Sequence, residues 1–237
     1  MIAAGPALAA VFFDVGNTLL YPCPSVSHVC EQLLRAAGHD RDLASIEELM
    51  PLVDAYYEDR FRADDSFWTS EEATSEVWLG MYMLLCRRLG IEEEAESIAR
   101  AVYEEFGLPE RWRAYDDAVP ALVRLRAAGL KCGVISNWDR RLERLLAGLG
   151  LTPLLDTVVC SASVGLHKPD PRVFELACSR VGVTPAESAH VGDHFYSDIL
   201  GARAVGMRAV LIDRRGDGRA SSVPVIRTLD GLEGALQ

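Results

Sequence analysis

Five short apolar and β-branched runs recur along the chain: "LAAVFFD" (8–14), "LKCGVIS" (130–136), "TVVCS" (157–161), "SAHVGD" (188–193) and "RAVLID" (208–213). Between the later runs lie segments whose apolar residues return every three or four positions. "DRRLERLLAGLG" sets Leu142, Leu145, Leu146 and Leu149 on one face before Gly150, and "DPRVFELACSRVG" ends at Gly182. Strands alternating with glycine-stopped helices predict an α/β fold, a parallel sheet covered by crossover helices.

The interval from about residue 22 to 115 breaks this rhythm. It contains "HVCEQLLRAAG", "LASIEELMPLVDAYYEDRFRADD", "EEATSEVWLGMYMLLCRRLG" and "EEEAESIARAVYEEFG", each with apolar positions at helical spacing and each followed by a break. No segment of it reads as a strand. A four-helix insertion over 22–115 is therefore expected between the first and second strands, with residues 1–21 and 116–237 forming the core. "RRGDGRASSVP" is the one polar, loop-like stretch.

With 237 residues, 49% of them hydrophobic, the chain is long and apolar enough to bury a full core, which excludes a disordered protein. Its 35 acidic residues against 24 basic ones leave a formal charge of −11, a surface that repels phosphate backbones, so nucleic acid is not an expected partner. The cysteines at 23, 30, 86, 132, 160 and 178 form no CxxC pair and mostly sit in apolar surroundings, as reduced core thiols do. The beginning "MIAAGPALAAVFF" has no basic leader region, and no apolar run is long enough to span a bilayer. A cytoplasmic protein without an obligate protein partner is the expectation.

Ligands of an open parallel sheet bind beyond the carboxyl ends of its strands. The first strand ends at Asp14, the second at Ser136 and Asn137, the fourth at Asp193, and "KPD" precedes the helix after the third. Asp14, Asp193 and Asp198 in one crevice would crowd negative charge, which a hard cation satisfied by a few oxygen ligands, such as Mg²⁺, relieves. Lys168 adds a positive charge there, and Pro169 occupies the place of a first helical residue, so a phosphate would meet both an ammonium and a helix N-terminus. Taken singly, Asp198 is as well explained by a helix dipole, Ser136 by a turn and Lys168 by a surface pair.

In this order, "DVGNT", "ISNWD", "GLHKPDPRVF" and "HVGDHFYSD" resemble the four signature motifs of the haloacid dehalogenase-like hydrolase superfamily, in the branch with a helical cap between motifs one and two. The resemblance covers the chain apart from the insertion. It implies a Rossmann-like core with a mobile cap that helps choose a small phosphorylated substrate. It also implies that Asp14 is a nucleophile forming an aspartyl-phosphate that water then hydrolyses. Mg²⁺ would be held by Asp14, the carbonyl of Gly16 and Asp193, with Asp198 a ligand or supporting partner. Ser136 and Lys168 would hold phosphoryl oxygens, while Thr18 and the amide of Asn137 shape the loop.

Phosphatases of this superfamily usually carry a second aspartate where this chain has Gly16. Glycine retains the carbonyl but not the proton transfer, a contribution of roughly 10²- to 10⁴-fold. Asn17 does not titrate; His167, His194, Asp139 or a cap residue are the candidates to stand in. Metal-independent 2-haloacid dehalogenases also lack the second aspartate and are the competing reading, although the first arginine after motif one, Arg35, falls within a helix. A phosphonoacetaldehyde-type Schiff base is disfavoured because Lys131 and Lys168 are the only lysines, neither in the insertion. A low-activity ligand-binding protein is the third reading. Within the insertion, Arg60, Arg62, Trp68 and Trp78 are candidate substrate contacts, though aromatic residues at helical spacing also simply pack.

Overall fold

The computed structural model describes residues 7–216, 218 and 221–236. Thus Asp217, Arg219 and Ala220 of the polar stretch, and the first six residues, lie outside the described residues. Strand β1 (Ala10–Phe13) is wholly buried, the signature of a central parallel strand covered on both faces. β2 (Leu20–Pro22) and β3 (Trp112–Ala114) flank helices α1 (Val26–Ala36), α2 (Leu43–Ala63), α3 (Glu71–Arg88) and α4 (Ala95–Glu105). Then follow α5 (Ala118–Ala127), β4 (Lys131–Ser136), α6 (Leu142–Gly148), β5 (Thr157–Cys160), α7 (Ser161–Val164) and α8 (Pro171–Val181). The chain continues through β6 (Ser188–Gly192), α9 (Gly201–Ala204), β7 (Arg208–Ile212), β8 (Val225–Ile226) and α10 (Leu232–Ala235).

Six strands make one parallel sheet in the order β5-β4-β1-β6-β7-β8. Val11 and Phe13 pack into one apolar layer with Leu122, Leu142 and Leu146, while Ala10 and Phe12 pack into the opposite layer with Val173, Phe174 and Ala177. This is the two-residue alternation expected of a strand between helical layers. The chain builds β4 and β5 on one side of β1, then returns to build β6 and β7 on the other. That reversal opens the crevice at the carboxyl ends of β1, β4 and β6.

The five expected strands and the four inserted helices are present. Ser25, Asp42 and Ser70 cap three of those helices with their side-chain oxygens, and the insertion carries its own apolar cluster around Val29, Ile46, Leu85 and Val102. Two expectations need correction. Residues 22–115 do contain a strand: β3 pairs antiparallel with β2, Leu20 opposite Ala114, so both connections between insertion and core run through one small ribbon. Pro169 is not a first helical residue either. α8 begins at Pro171, and its cap Asp170 takes the Arg172 N–H at 2.9 Å, so a carboxylate already fills the helix N-terminus expected to meet a phosphate.

Among the described residues all six cysteines are free, and burial pushes the Cys30 thiol up to about 12. Among the described residues no helix is long and apolar enough to cross a membrane.

Candidate active site

Asp14 follows directly from β1, and its N–H still bonds to the Val191 carbonyl at 2.9 Å. The sheet ladder therefore fixes the base of its side chain. Asp14 Oδ1 accepts from Ser136 Oγ at the end of β4 (2.9 Å) and from Lys168 Nζ (2.6 Å). Among the described residues no protein donor reaches Oδ2.

Lys168 is 2% exposed, so its charge needs compensation. It also donates to Asp198 Oδ1 at 2.5 Å, and His190 Nε2 donates to the same oxygen at 2.8 Å. Asp198 Oδ2 takes the backbone N–H of His194 at 3.0 Å. Burial alone would lower the Lys168 pKa, but the carboxylates of Asp14 and Asp198 override it and hold the ammonium above its ordinary value. Burial pushes the Asp198 carboxyl up, yet Lys168 and His190 outweigh this and hold it well below the usual range. Asp198 is thus a permanent anion that aims Lys168.

This aim depends on a glycine. Asp198 lies in a wide π-type turn over Phe195–Leu200. A Cβ on Gly192 would stand 2.2 Å from Asp198 Cγ. Only a residue without a side chain lets the carboxylate settle against β6.

Asp193, the next residue, is half-buried, and burial followed by the charges of Asp14 and Asp198 raises its pKa, against the pull of Lys168 and a hydrogen bond from Asn17. Asp14, Asp193 and Asp198 each bring an oxygen within 4.8 Å of the others. Because Asp198 is already committed to three donors, Asp14 and Asp193 are the pair with capacity for a cation. Between them lies the turn after β1: Val15 O accepts the N–H groups of Thr18, Leu19 and Leu20, and Asn17 N donates to Leu20 O. No donor among the described residues takes the Gly16 carbonyl. Two hard carboxylates and a spare carbonyl fit a magnesium-type ion.

Of the residues singled out from sequence, Asp14, Ser136, Lys168, Asp193 and Asp198 meet in one cluster. Asn137 stands beside it. Its Oδ1 accepts the Lys168 N–H (2.7 Å) and its Nδ2 donates to the Lys168 carbonyl (2.9 Å), a two-point clamp on the lysine backbone. Thr18 is fully buried, with its hydroxyl unpartnered among the described residues, and shapes the turn from within.

The candidate stand-ins for the missing acid differ in how far they are committed. Asp139 is held by Arg141 through Nε at 2.9 Å and Nη2 at 2.7 Å. His194 uses Nδ1 to take the Ser197 N–H. His167 Nδ1 stands 3.0 Å from the Lys168 carbonyl, and its Nε2 faces Asp65 of the insertion at 3.9 Å. Arg62 is exposed and pairs along its own helix with Glu58, and Arg60 is exposed too. Trp68 and Trp78 instead join Tyr57 in an aromatic wall.

Sequence reasoning missed His190, Trp138 and Glu71. A histidine inside a strand ending in a site aspartate was a usable signal for the first. Glu71, the first residue of α3, accepts the Arg140 N–H (2.7 Å) and the Tyr103 hydroxyl (2.9 Å), so it ties the helical layer to the loop after Asn137. Phe61 of α2 adds edge contacts to His194 and Tyr196.

A family model described as haloacid dehalogenase-like hydrolase matches residues 8–206. The haloacid dehalogenase-like hydrolase domain-containing protein 3 of Danio rerio is 32% identical over 235 residues, 96% of each chain. The glyceraldehyde 3-phosphate phosphatase of Methanopyrus kandleri is 33% identical over 219 residues, 88% of this chain and 85% of that one. Two solved structures align with 97% of this chain and 98% of their own. One is a HAD phosphatase from Thermococcus onnurineus (28% identity, TM-score 0.67), the other a 2-haloacid dehalogenase from Pseudomonas syringae (26%, 0.64).

Proposed function

The chain belongs to the haloacid dehalogenase-like hydrolases, and from that premise we propose that it is a Mg²⁺-dependent phosphatase of a small phosphorylated metabolite, with Asp14 as nucleophile. The observation that carries this reading is the shared hold of Ser136 and Lys168 on Asp14 Oδ1 beside Asp193. A phosphoryl group brought to the free oxygen of Asp14 meets an ammonium already in place and the Ser136 hydroxyl, which needs only to turn its proton away from Asp14 Oδ1, so little reorganisation is needed as charge develops. Asp14 attacks phosphorus, the alcohol leaves with its electron pair, and water then attacks the aspartyl-phosphate to return the carboxylate. Asp198 and Asn137 act through Lys168: the first fixes its ammonium, the second its backbone. Asp14, Asp193 and the Gly16 carbonyl would hold Mg²⁺, which when bound supplies positive charge against the phosphoryl oxygens.

Relatives named as phosphatases support this choice over halide displacement, as does a pair of carboxylates, Asp14 and Asp193, close enough to share a cation. The test is a screen of phosphorylated metabolites and 2-haloacids with and without Mg²⁺, beside Asp14→Asn. Phosphate release that needs the metal and vanishes in the variant is the expected result. Halide release without metal would overturn the reading in favour of a dehalogenase. Ligand-induced stabilisation without turnover of any compound would overturn it in favour of a binding role.

A further inference from the structure

A cavity of about 410 Å³ opens beside the turn that follows Asp14, between the strand ends and the inserted helices. Gly16 and Asn17 border it on the nucleophile turn, and Trp138 borders it on the loop after Ser136 and Asn137. A group attached to a phosphoryl held by Ser136 and Lys168 therefore extends into this space. Its walls are aromatic. Tyr57, Trp68 and Trp78 form one face, with Tyr57 and Trp78 stacked at 6.0 Å, while Trp112 and Trp138 meet edge-on at 5.0 Å on the other.

Away from the rim, the charges on the walls are already answered. Arg141 is bound by Asp139 at two points and lies 3.6 Å over the Tyr103 ring. Asp54 and Arg215 stand exposed at the rim, where water solvates them. A zwitterionic or polyol leaving group would strip water from its polar groups here and find few partners, whereas a flat apolar one exchanges water for ring contact. The tyrosine hydroxyls do not alter this. Burial, with the nearby negative charges of Glu58, Asp14 and Asp193 adding to it, keeps Tyr57 protonated at neutral pH, so it does not titrate there.

The second observation is chemical. Position 16 carries no proton donor, Asp139 is held by Arg141, and neither His167 nor His194 lines the cavity. A leaving oxygen must therefore depart without full protonation, which a phenol-type oxygen does far more readily than an alkyl one. From these two observations we infer that the substrate class is the aryl phosphates, monoesters whose leaving group is a flat, apolar, phenol-like alcohol. This inference rests on the phosphatase reading. Asp14 oxygen bonds to phosphorus as the aryl oxygen leaves with the electron pair and takes a proton from solvent. Water then adds to phosphorus as the bond to the Asp14 oxygen breaks; one water proton stays on the released phosphate, the other returns to solvent, and Asp14 is regenerated.

The test compares kcat/KM of the full chain with Mg²⁺ for 1-naphthyl phosphate, acetyl phosphate and phosphoserine. Acetyl phosphate has the better leaving group but nothing to fill the cavity, so it separates recognition from reactivity. The expected order puts naphthyl phosphate first, by roughly tenfold over acetyl phosphate. Trp78→Ala should shrink that ratio, chiefly through the KM for naphthyl phosphate, and the better-packed Trp78→Phe should shrink it less. If acetyl phosphate or phosphoserine is the better substrate, or the ratio ignores both variants, the aryl inference is overturned while the phosphatase reading stands. If none of the three releases phosphate in a manner dependent on Asp14 and Mg²⁺, both are overturned.

Discussion

The ring of Trp138 lies 3.4 Å, at Cζ3, from where a Cβ on Gly16 would be, so the indole borders the space that an acid side chain would need. Gly16 is outside the left-handed φ region, and a single methyl makes only ordinary contact. Gly16→Ala should therefore fold with a stability change within about 0.5 kcal/mol, read from denaturant unfolding. Gly16→Asp must press its carboxylate against Trp138. It should restore turnover of alkyl phosphates only in part, while Gly16→Asp with Trp138→Ala should approach the ~10²-fold expected of a proton donor. Equal gains for alkyl and aryl phosphates would show that proton supply is not what position 16 lacks.

Gly192→Ala tests a different constraint. The added Cβ would stand 2.2 Å from Asp198 Cγ, and that carboxylate aims Lys168 at Asp14. The clash involves a buried group close to its own chain, so it should cost about 1–3 kcal/mol of stability. The fall in kcat should be larger than that in Gly16→Ala, with steady-state kinetics and thermal unfolding run on both variants.

Asn137→Ala removes both points of the clamp on Lys168. The N–H and carbonyl of that residue lose partners at 2.7 and 2.9 Å, and a buried polar group left unpaired costs about 1–3 kcal/mol. Because the loss falls on the residue that carries the ammonium, kcat should drop with little change in KM. A change in KM alone would assign Asn137 to substrate contact instead.

Much of this site was legible because parallel strands put their last residues in one crevice: once Asp14, Ser136 and Asp193 were recognised as strand ends, their meeting followed from topology. Lys168 came with its motif. The tertiary partners were not legible. Nothing in the run "SAHVGD" says that His190 reaches Asp198, eight residues on, and nothing in α3 says that Glu71 meets Arg140, 69 residues away. Pro169 was misplaced because two prolines flank Asp170, and only the cap geometry tells which one opens the helix. β3 and β8 have three residues or fewer, too short for a periodic signal.

Asp193 makes a pH prediction with a definite sign. Burial first, then Asp14 and Asp198, raise it from the ordinary 3.8 to about 7. A carboxyl with a raised folded-state pKa stabilises the fold while protonated. That contribution is complete below about pH 4 and is lost as pH rises to about 7. Asp198 runs the other way, since its depressed pKa gives stability above the usual carboxylate range, lost only in stronger acid. Between about pH 4 and 7 the metal-free protein should therefore lose thermal stability from this residue. Saturating Mg²⁺ should flatten the slope, and Asp193→Asn should flatten it without metal. A slope in Asp193→Asn as steep as in the parent would assign it to other groups.

Glu71 bears on how the helical insertion moves. It takes a backbone N–H from Arg140 at 2.7 Å and a hydroxyl from Tyr103 at 2.9 Å, while both connections to the core run through the β2–β3 ribbon. If the insertion opens about that ribbon, as the two short linkers suggest, the Glu71 contact to Arg140 must break each time. A hydrogen bond to a charged group contributes about 1.5–3 kcal/mol. Glu71→Ala should therefore speed hydrogen exchange at the Arg140 amide, raise KM through a less populated closed state, and raise kcat where product release limits turnover. Glu71→Gln, still an acceptor for Arg140, should fall between the two. Unchanged exchange at Arg140 in Glu71→Ala would mean that the aromatic contacts of Phe61, not this carboxylate, hold the insertion down.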